Sequence, residues 1–298
     1  MFNIVKVHNN FAQNAQYNIS ETGKNILYMV LGMYKENQTV DTVYEIFLKD
    51  MALVANKSIN YHQFKTACEE LSGRIKGKSI PTLFVDLPDG KKQSYPFFKM
   101  IEYQENEGYI KVVLNDELKP LWDNLTKNFT LLNLQQGMAL TGKYTKRIFD
   151  YISSIRNFKD HYGKYPYIDL LEFKNLMHLS EEDYSKFGIF RVRILDKAIK
   201  EINKYSDFNV RYTPVKKGRK IIGLTWQISK NPKKQSDILE YEGVQYFRST
   251  IVKLNSVAKS LKDETYRMLI KAIHSGEVNH LDPYEVEKFV METLNKNQ

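Results

Sequence analysis

After Ser20, whose hydroxyl suits a helix N-cap, the run Asn25-Ile26-Leu27-Tyr28-Met29-Val30-Leu31 predicts a helix. From Thr39 to Ile46 apolar and polar residues alternate, the period of a strand. Asp50 is placed to cap a short helix from Met51 to Ala55. Phe64, Ala67, Cys68 and Leu71 mark the buried stripe of a longer helix from Tyr61 to Ile75. The run from Thr82 to Leu87 reads as a strand. Phe97 to Tyr103 and Tyr109 to Leu114 flank Glu105-Asn106-Glu107-Gly108, a hairpin with a glycine-containing turn. Helix, strand, short helix, helix and hairpin is the order of a winged helix, in which the last helix enters a DNA groove and the hairpin is the wing.

The same order returns downstream. A helix from about Lys143 to Phe158 is followed by an extended piece, Tyr165-Pro166-Tyr167-Ile168, and Asp169 is the N-cap of a helix through Leu170, Phe173 and Leu176. A longer helix spans about Phe187 to Tyr205. Strands Phe208 to Tyr212 and Ile221 to Ile228 then meet through Lys216-Lys217-Gly218-Arg219-Lys220. The repeat is architectural, without residue-level identity. Polar residues 229–235 suggest a linker, and helical patterns at about 246–260, 263–274 and 282–295 follow. The predicted fold class is α+β: an N-terminal winged-helix domain over 1–128, a second over 129–230, and a C-terminal helical appendage over 236–298.

Charge sharpens this picture. The 298 residues carry a formal net charge of +9, which favours a polyanionic partner. Between Thr141 and Lys230 there are 19 Lys and Arg against 10 Asp and Glu, so that stretch holds the whole excess. Cys68 is the only cysteine, and Phe64, Ala67 and Leu71 at helical spacing make it a buried structural thiol. The N-terminus lacks the apolar core of a signal peptide, and no stretch approaches the roughly 20 apolar residues of a membrane span. A cytoplasmic protein is expected.

The helix from Phe187 carries the most information. Phe190, Ile194, Ala198 and Ile202 recur at a spacing of four, widened by Leu195 and Ile199, while Arg193, Lys197, Lys200 and Lys204 share a second face. A solvated amphipathic helix is the bland interpretation. A major groove admits one such helix, and arginine pairs with guanine O6 and N7. Arg191 and Arg193, near the helix N-terminus, are therefore the candidates for base reading, with Lys200 on the backbone. The hairpin tip concentrates Lys216, Lys217, Arg219 and Lys220 around one glycine, a phosphate clamp. The first turn of the helix from Lys143 offers backbone N–H groups together with Lys143, Lys146 and Arg147, which also suits phosphate.

Catalytic and cofactor motifs are weak. Gly137 to Lys143 matches seven positions of a phosphate-binding loop, but Tyr144 stands where a serine or threonine would hold magnesium, and Leu131 to Gln136 makes a poor parallel strand. The six histidines include no His-x-His or HExxH pair, so neither metal-assisted nicking nor zinc hydrolysis has its usual ligands. No enzyme activity, cofactor or metal is expected, and no helix with exposed aromatics suggests membrane docking.

The run Leu140 to Ile152 resembles the Ser-x-Tyr-x-x-Arg-Leu-Tyr-Glu-Leu-Leu helix of iteron-binding plasmid replication initiators (RepE-like, type-3 Rep proteins). Phe190 to Asn203 is similar to their second-domain recognition helix, and Asp207 to Lys220 to the strand and wing after it. Tyr17 to Leu27 resembles, less distinctly, the opening helix of their first domain. The resemblance covers about residues 15–230. It implies two winged helices on directly repeated sites of double-stranded origin DNA, a homodimer in equilibrium with monomer, and a host initiator and replicative helicase as partners. Carried over by position, Arg191, Arg193 and Lys197 face bases, whereas Lys143, Arg147 and the wing cations hold the backbone. Lys65, Arg74 and Lys76 form a second surface in the first domain, for DNA or for the dimer. Gly142-Lys143 replaces the family's serine, and the loop from His178 to Lys186 is more acidic than a groove-facing loop should be. A transcriptional repressor of the same fold is the alternative; tandem origin repeats favour the initiator, and a lone inverted repeat favours the repressor.

Overall fold

The computed structural model describes residues 4–34, 39, 41–86, 90–157, 165–231, 238–241 and 244–247. Asn3–Lys230 form one compact unit. It opens with strand β1 (Ile4–His8) and helix α1 (Asn9–Gln13). Helix α2 (Glu21–Met33) is capped by Ser20, whose Oγ accepts from the Gly23 N–H at 3.1 Å. Its residues from Gly23 to Gly32 are all buried, as befits a helix at the centre of a domain.

Strand β2 (Val43–Phe47) alternates outward Val43 and Glu45 with buried Tyr44 and Ile46. Helix α3 (Leu48–Ala55) starts three residues before the predicted Met51. Phe47 occupies its N-cap without a side-chain hydrogen bond, so Asp50 is no cap but a first-turn residue. Helix α4 (Tyr61–Leu71) stops short of Ile75, because Ser72 caps it and Gly73 follows at φ +72°. A hairpin of β3 (Thr82–Asp86) and β4 (Lys92–Pro96) is inserted before the wing, β5 (Phe98–Tyr103) and β6 (Tyr109–Leu114). Cys68 lies on the packed side of α4 at 0% exposure, and burial pushes its thiol up to about 12. A thiol held protonated and covered is inert. Labelling with an aromatic disulfide at pH 8 is therefore expected to be silent in the folded protein and complete in denaturant; rapid labelling of the folded chain would contradict this placement.

A 3-10 turn (Asp116–Leu121), strand β7 (Phe129–Asn133) and helix α5 (Leu134–Ala139) lead to helix α6 (Lys143–Ile155). β7 pairs antiparallel with β1, Val5 opposite Leu132, so the line drawn at residue 128 runs beside a two-stranded sheet that joins the N-terminus to the start of the second half. The second winged helix continues with β8 (Ile168–Asp169) and α7 (Leu170–Asn175), whose cap is Asp169, accepting from the Leu171 N–H at 2.8 Å. Helix α8 (Phe187–Phe190) runs through a π turn (Arg191–Leu195) into α9 (Asp196–Tyr205). The wing is β9 (Phe208–Lys217) and β10 (Lys220–Lys230). In both halves the strand after the first helix pairs with the last strand of the wing: the orders are β2-β6-β5 and β8-β10-β9, all antiparallel. That shared topology is the repeat the element order predicts.

The second domain's core gathers Ile148, Phe149 and Ile152 of α6, Phe173, Phe190, Ile194, Ile202 and Trp226. The other face of α6 is polar, yet also buried. Asp150, 0% exposed, accepts from the Tyr28 hydroxyl at 2.6 Å and the Tyr17 hydroxyl at 3.0 Å, and lies 2.8 Å from Lys24 Nζ. Burial brings the Lys24 ammonium down to about 8, with Asp150 opposing, and holds both tyrosine hydroxyls well above their usual range.

Beyond Asn231, strands β11 (Ile238–Tyr241) and β12 (Val244–Phe247) make a small antiparallel hairpin. Tyr246 and Phe247 are thus in a strand and do not begin a helix. The remainder of the predicted appendage helices, like Phe158, lies outside the described residues.

Candidate nucleic-acid interface

The π turn and α9 are positioned by their apolar side. Phe190, Ile194, Leu195, Ala198 and Ile202 are buried in the domain core, which turns the opposite side of the helix outward. Arg191, Arg193, Lys197 and Lys200 are all exposed. Within this face Asp196 is tethered: it accepts from the Tyr212 hydroxyl at 2.5 Å, and Arg191 Nε lies 3.6 Å from its carboxylate. Tyr212 belongs to β9, so the wing strand and the recognition helix are joined through that carboxylate. Two residues 16 apart carry no periodic signal, so the pair leaves no mark on the sequence pattern.

At the wing tip, Gly218 takes φ +62° in a two-residue turn between Lys217 and Lys220, the place glycine fills in a type II′ hairpin. Lys216, Lys217, Arg219 and Lys220 are exposed around it. Lys220 Nζ lies 3.8 Å from the Glu181 carboxylate, with both side chains largely in solvent. The acidic loop before the recognition helix is held from within: the Lys174 ammonium donates to the carbonyls of Glu181 (3.2 Å), Asp183 (2.6 Å) and Tyr184 (3.3 Å). Its carboxylates of Glu181, Glu182 and Asp183 face solvent. Asp183 accepts from the Ser180 N–H at 2.9 Å.

Lys146 and Arg147 do not make the phosphate contacts expected of α6. Lys146 is 0% exposed, and its ammonium donates to the carbonyls of Gly137 (2.6 Å) and Met138 (3.3 Å). Burial drives its pKa well below the usual lysine value. Arg147 is 3% exposed and spends its donors on the carbonyls of Leu176 (2.9 Å), Ala12 (2.7 Å) and Ala15 (2.7 Å). Neither reaches solvent, so neither meets a phosphate. The helix N-terminus is occupied too: the Gly142 N–H donates to Glu21 (2.7 Å) and the Thr141 N–H to Glu201 (2.7 Å). Two carboxylates take the place expected for an anion. Lys143 is half-buried with Nζ 2.8 Å from Asn18 Oδ1.

In the first domain Lys65 is paired with Glu105 at 2.8 Å. Arg74, over the Tyr103 ring at 5.8 Å, and Lys76 are exposed. The wing tip of this domain, Gln104-Glu105-Asn106-Glu107, is acidic and exposed where its counterpart is cationic. Among the described residues no group of three or more His, Cys, Asp or Glu is placed to hold a metal ion, and no helix is long and apolar enough to cross a membrane.

Two winged helices in one chain, the second with a cationic recognition helix and wing, define a tandem winged-helix protein. The chain belongs to the initiator replication protein family: the family's first winged-helix model matches residues 4–153, and its second, described as "Initiator Rep protein, WH2", matches 169–228. It is 26% identical over 246 residues to the PI protein of Escherichia coli, spanning 74% of this chain and 81% of that protein. Its fold is similar to a crystal structure of Pi initiator protein in complex with iteron DNA, with a TM-score of 0.59 and 21% identity, over 77% of this chain and 98% of the other.

Proposed function

We propose that this chain is a plasmid replication initiator that binds directly repeated sites of double-stranded origin DNA, its recognition helix in a major groove and its wing on the flanking backbone. The observation that carries this is the exposure of Arg191, Arg193, Lys197 and Lys200 on one core-anchored helix, with four further cations at the tip of the wing strand tied to it. The kinship with Pi, which is seen on iteron DNA, supports it. Arg191, Arg193 and Lys197 read bases, while Lys200, Lys216, Lys217, Arg219 and Lys220 position the backbone. The protein works by binding alone, in the cytoplasm, as a monomer in equilibrium with a homodimer, and hands the opened origin to a host initiator and helicase. Arg74 and Lys76 serve the first domain's contact with DNA or with the second copy.

Selection of random duplexes by the purified protein at about 150 mM salt, followed by sequencing, tests this. A motif long enough for two groove contacts is expected. Arg193→Ala is expected to weaken binding to it by about 1–3 kcal/mol and to relax the preference at one base position. Salt-sensitive binding with no enriched motif would overturn the assignment.

A further inference from the structure

The outward face of the recognition helix is not purely cationic. Ile189 is 45% exposed and Val192 60%, although Phe190, Ile194 and Leu195 between and beside them are buried. At these exposures both side chains leave apolar surface in water that the domain core does not use. Positions 189, 192, 193 and 196 are spaced three and four apart and share a face. Arg193 is exposed there, and the Asp196 carboxylate is drawn away by Tyr212 and Arg191. Two side chains make too small a patch for a protein partner, which covers about 800 Å² on each side. The cations around them select a polyanion instead. In a major groove the apolar feature on a base edge is the 5-methyl group of thymine, and apolar side-chain atoms are what covers it.

We infer that Ile189 and Val192 read thymine 5-methyl groups, so that the site recognised by the second domain sets thymines among the guanines that Arg191 and Arg193 contact. This rests on the recognition helix lying in a major groove. It assigns part of the specificity to van der Waals contact and predicts that 5-methylcytosine, with its methyl at the same groove edge, substitutes for thymine at these positions better than cytosine does.

The test uses the full chain and the duplex recovered by selection, with each thymine replaced singly by deoxyuridine, which deletes only the methyl. Loss of one buried methyl is expected to weaken binding about fourfold at one or two positions. Val192→Ala and Ile189→Ala, both at exposed sites, are expected to abolish that thymine–uracil difference, each at its own position, whereas Arg193→Ala leaves it intact. A selected site indifferent to every uridine, or a difference that survives both alanine variants, overturns this inference while site-specific binding stands. Failure to select any site removes the groove assignment itself, and this inference with it.

Discussion

Asp150→Ala is expected to lower the stability of the folded chain by about 3–5 kcal/mol, the penalty for removing one partner of a buried ion pair. The carboxylate is fully buried and accepts from three donors, Lys24 Nζ and the hydroxyls of Tyr17 and Tyr28. Alanine leaves two buried hydroxyls without their acceptor and the ammonium with only the Tyr17 oxygen, 2.6 Å away, next to Arg147. The donors come from the N-terminal arm and α2 while the acceptor sits on α6, so the loss falls on the packing between them. Thermal unfolding is expected to shift down by roughly 10 °C for a unit of this size. The pair Lys24→Met with Asp150→Leu is expected to cost less than Asp150→Ala alone, because both charges leave together. A shift below about 1 kcal/mol for Asp150→Ala would mean that solvent reaches this cluster.

Replacing Lys216, Lys217, Arg219 and Lys220 together by alanine is expected to change binding in a different way. Each cation that neutralises a phosphate adds about 0.9 to the slope of log affinity against log salt, so the slope falls by 3 to 4. The parent's loss of affinity between 50 and 200 mM salt then exceeds the variant's by about a hundredfold. The preferred sequence is expected to stay the same, since a phosphate carries no base identity. The four side chains are exposed at a turn that needs only Gly218, so folding is untouched. Titrations of one duplex at four salt concentrations, by fluorescence anisotropy, decide it; an unchanged slope would place the wing away from DNA.

How far the chain could be read before its structure depends on where each signal lay. Asp169 as a cap, Gly218 in the wing turn and the apolar stripe from Phe190 to Ile202 are local patterns, and each is found as read. The stripe even held a clue to the π turn. A strict spacing of four overshoots a full α-helical turn by about 40° each time, and a turn bonded from residue i to i+5 absorbs part of that drift. The Asp196 N–H accordingly donates to the Arg191 carbonyl. Strands β1 and β7 escaped because neither means anything without the other, 121 or more residues apart. Lys146 and Arg147 were misplaced for a related reason. Lys146, Arg147, Asp150, Ser153 and Ser154 form a polar face on α6, and a polar face normally meets water. Here it meets carbonyls of α1, of Ala15 just after it and of α5, and the hydroxyls of Tyr17 and Tyr28 instead. The mixture of opposite charges within one turn of that face was the only hint. Ile189 and Val192 were passed over because an apolar residue next to an apolar stripe looks like core.

The π turn also bears on how such a protein changes its target over generations. It contains one residue more than a regular helix needs, so a single-codon deletion within Arg191–Leu195 leaves a continuous helix still anchored by Ala198 and Ile202. The surplus residue is taken up inside the turn, so the segments on either side keep their faces, where the same deletion in a regular helix would rotate one against the other by about 100°. Phe190 would keep its place in the core and Lys197 and Lys200 theirs outside it. A length change, ordinarily ruinous in a packed helix, is confined in this one to the few positions between Arg191 and Leu195, and so becomes a route by which the face offered to an origin could change while the domain around it does not.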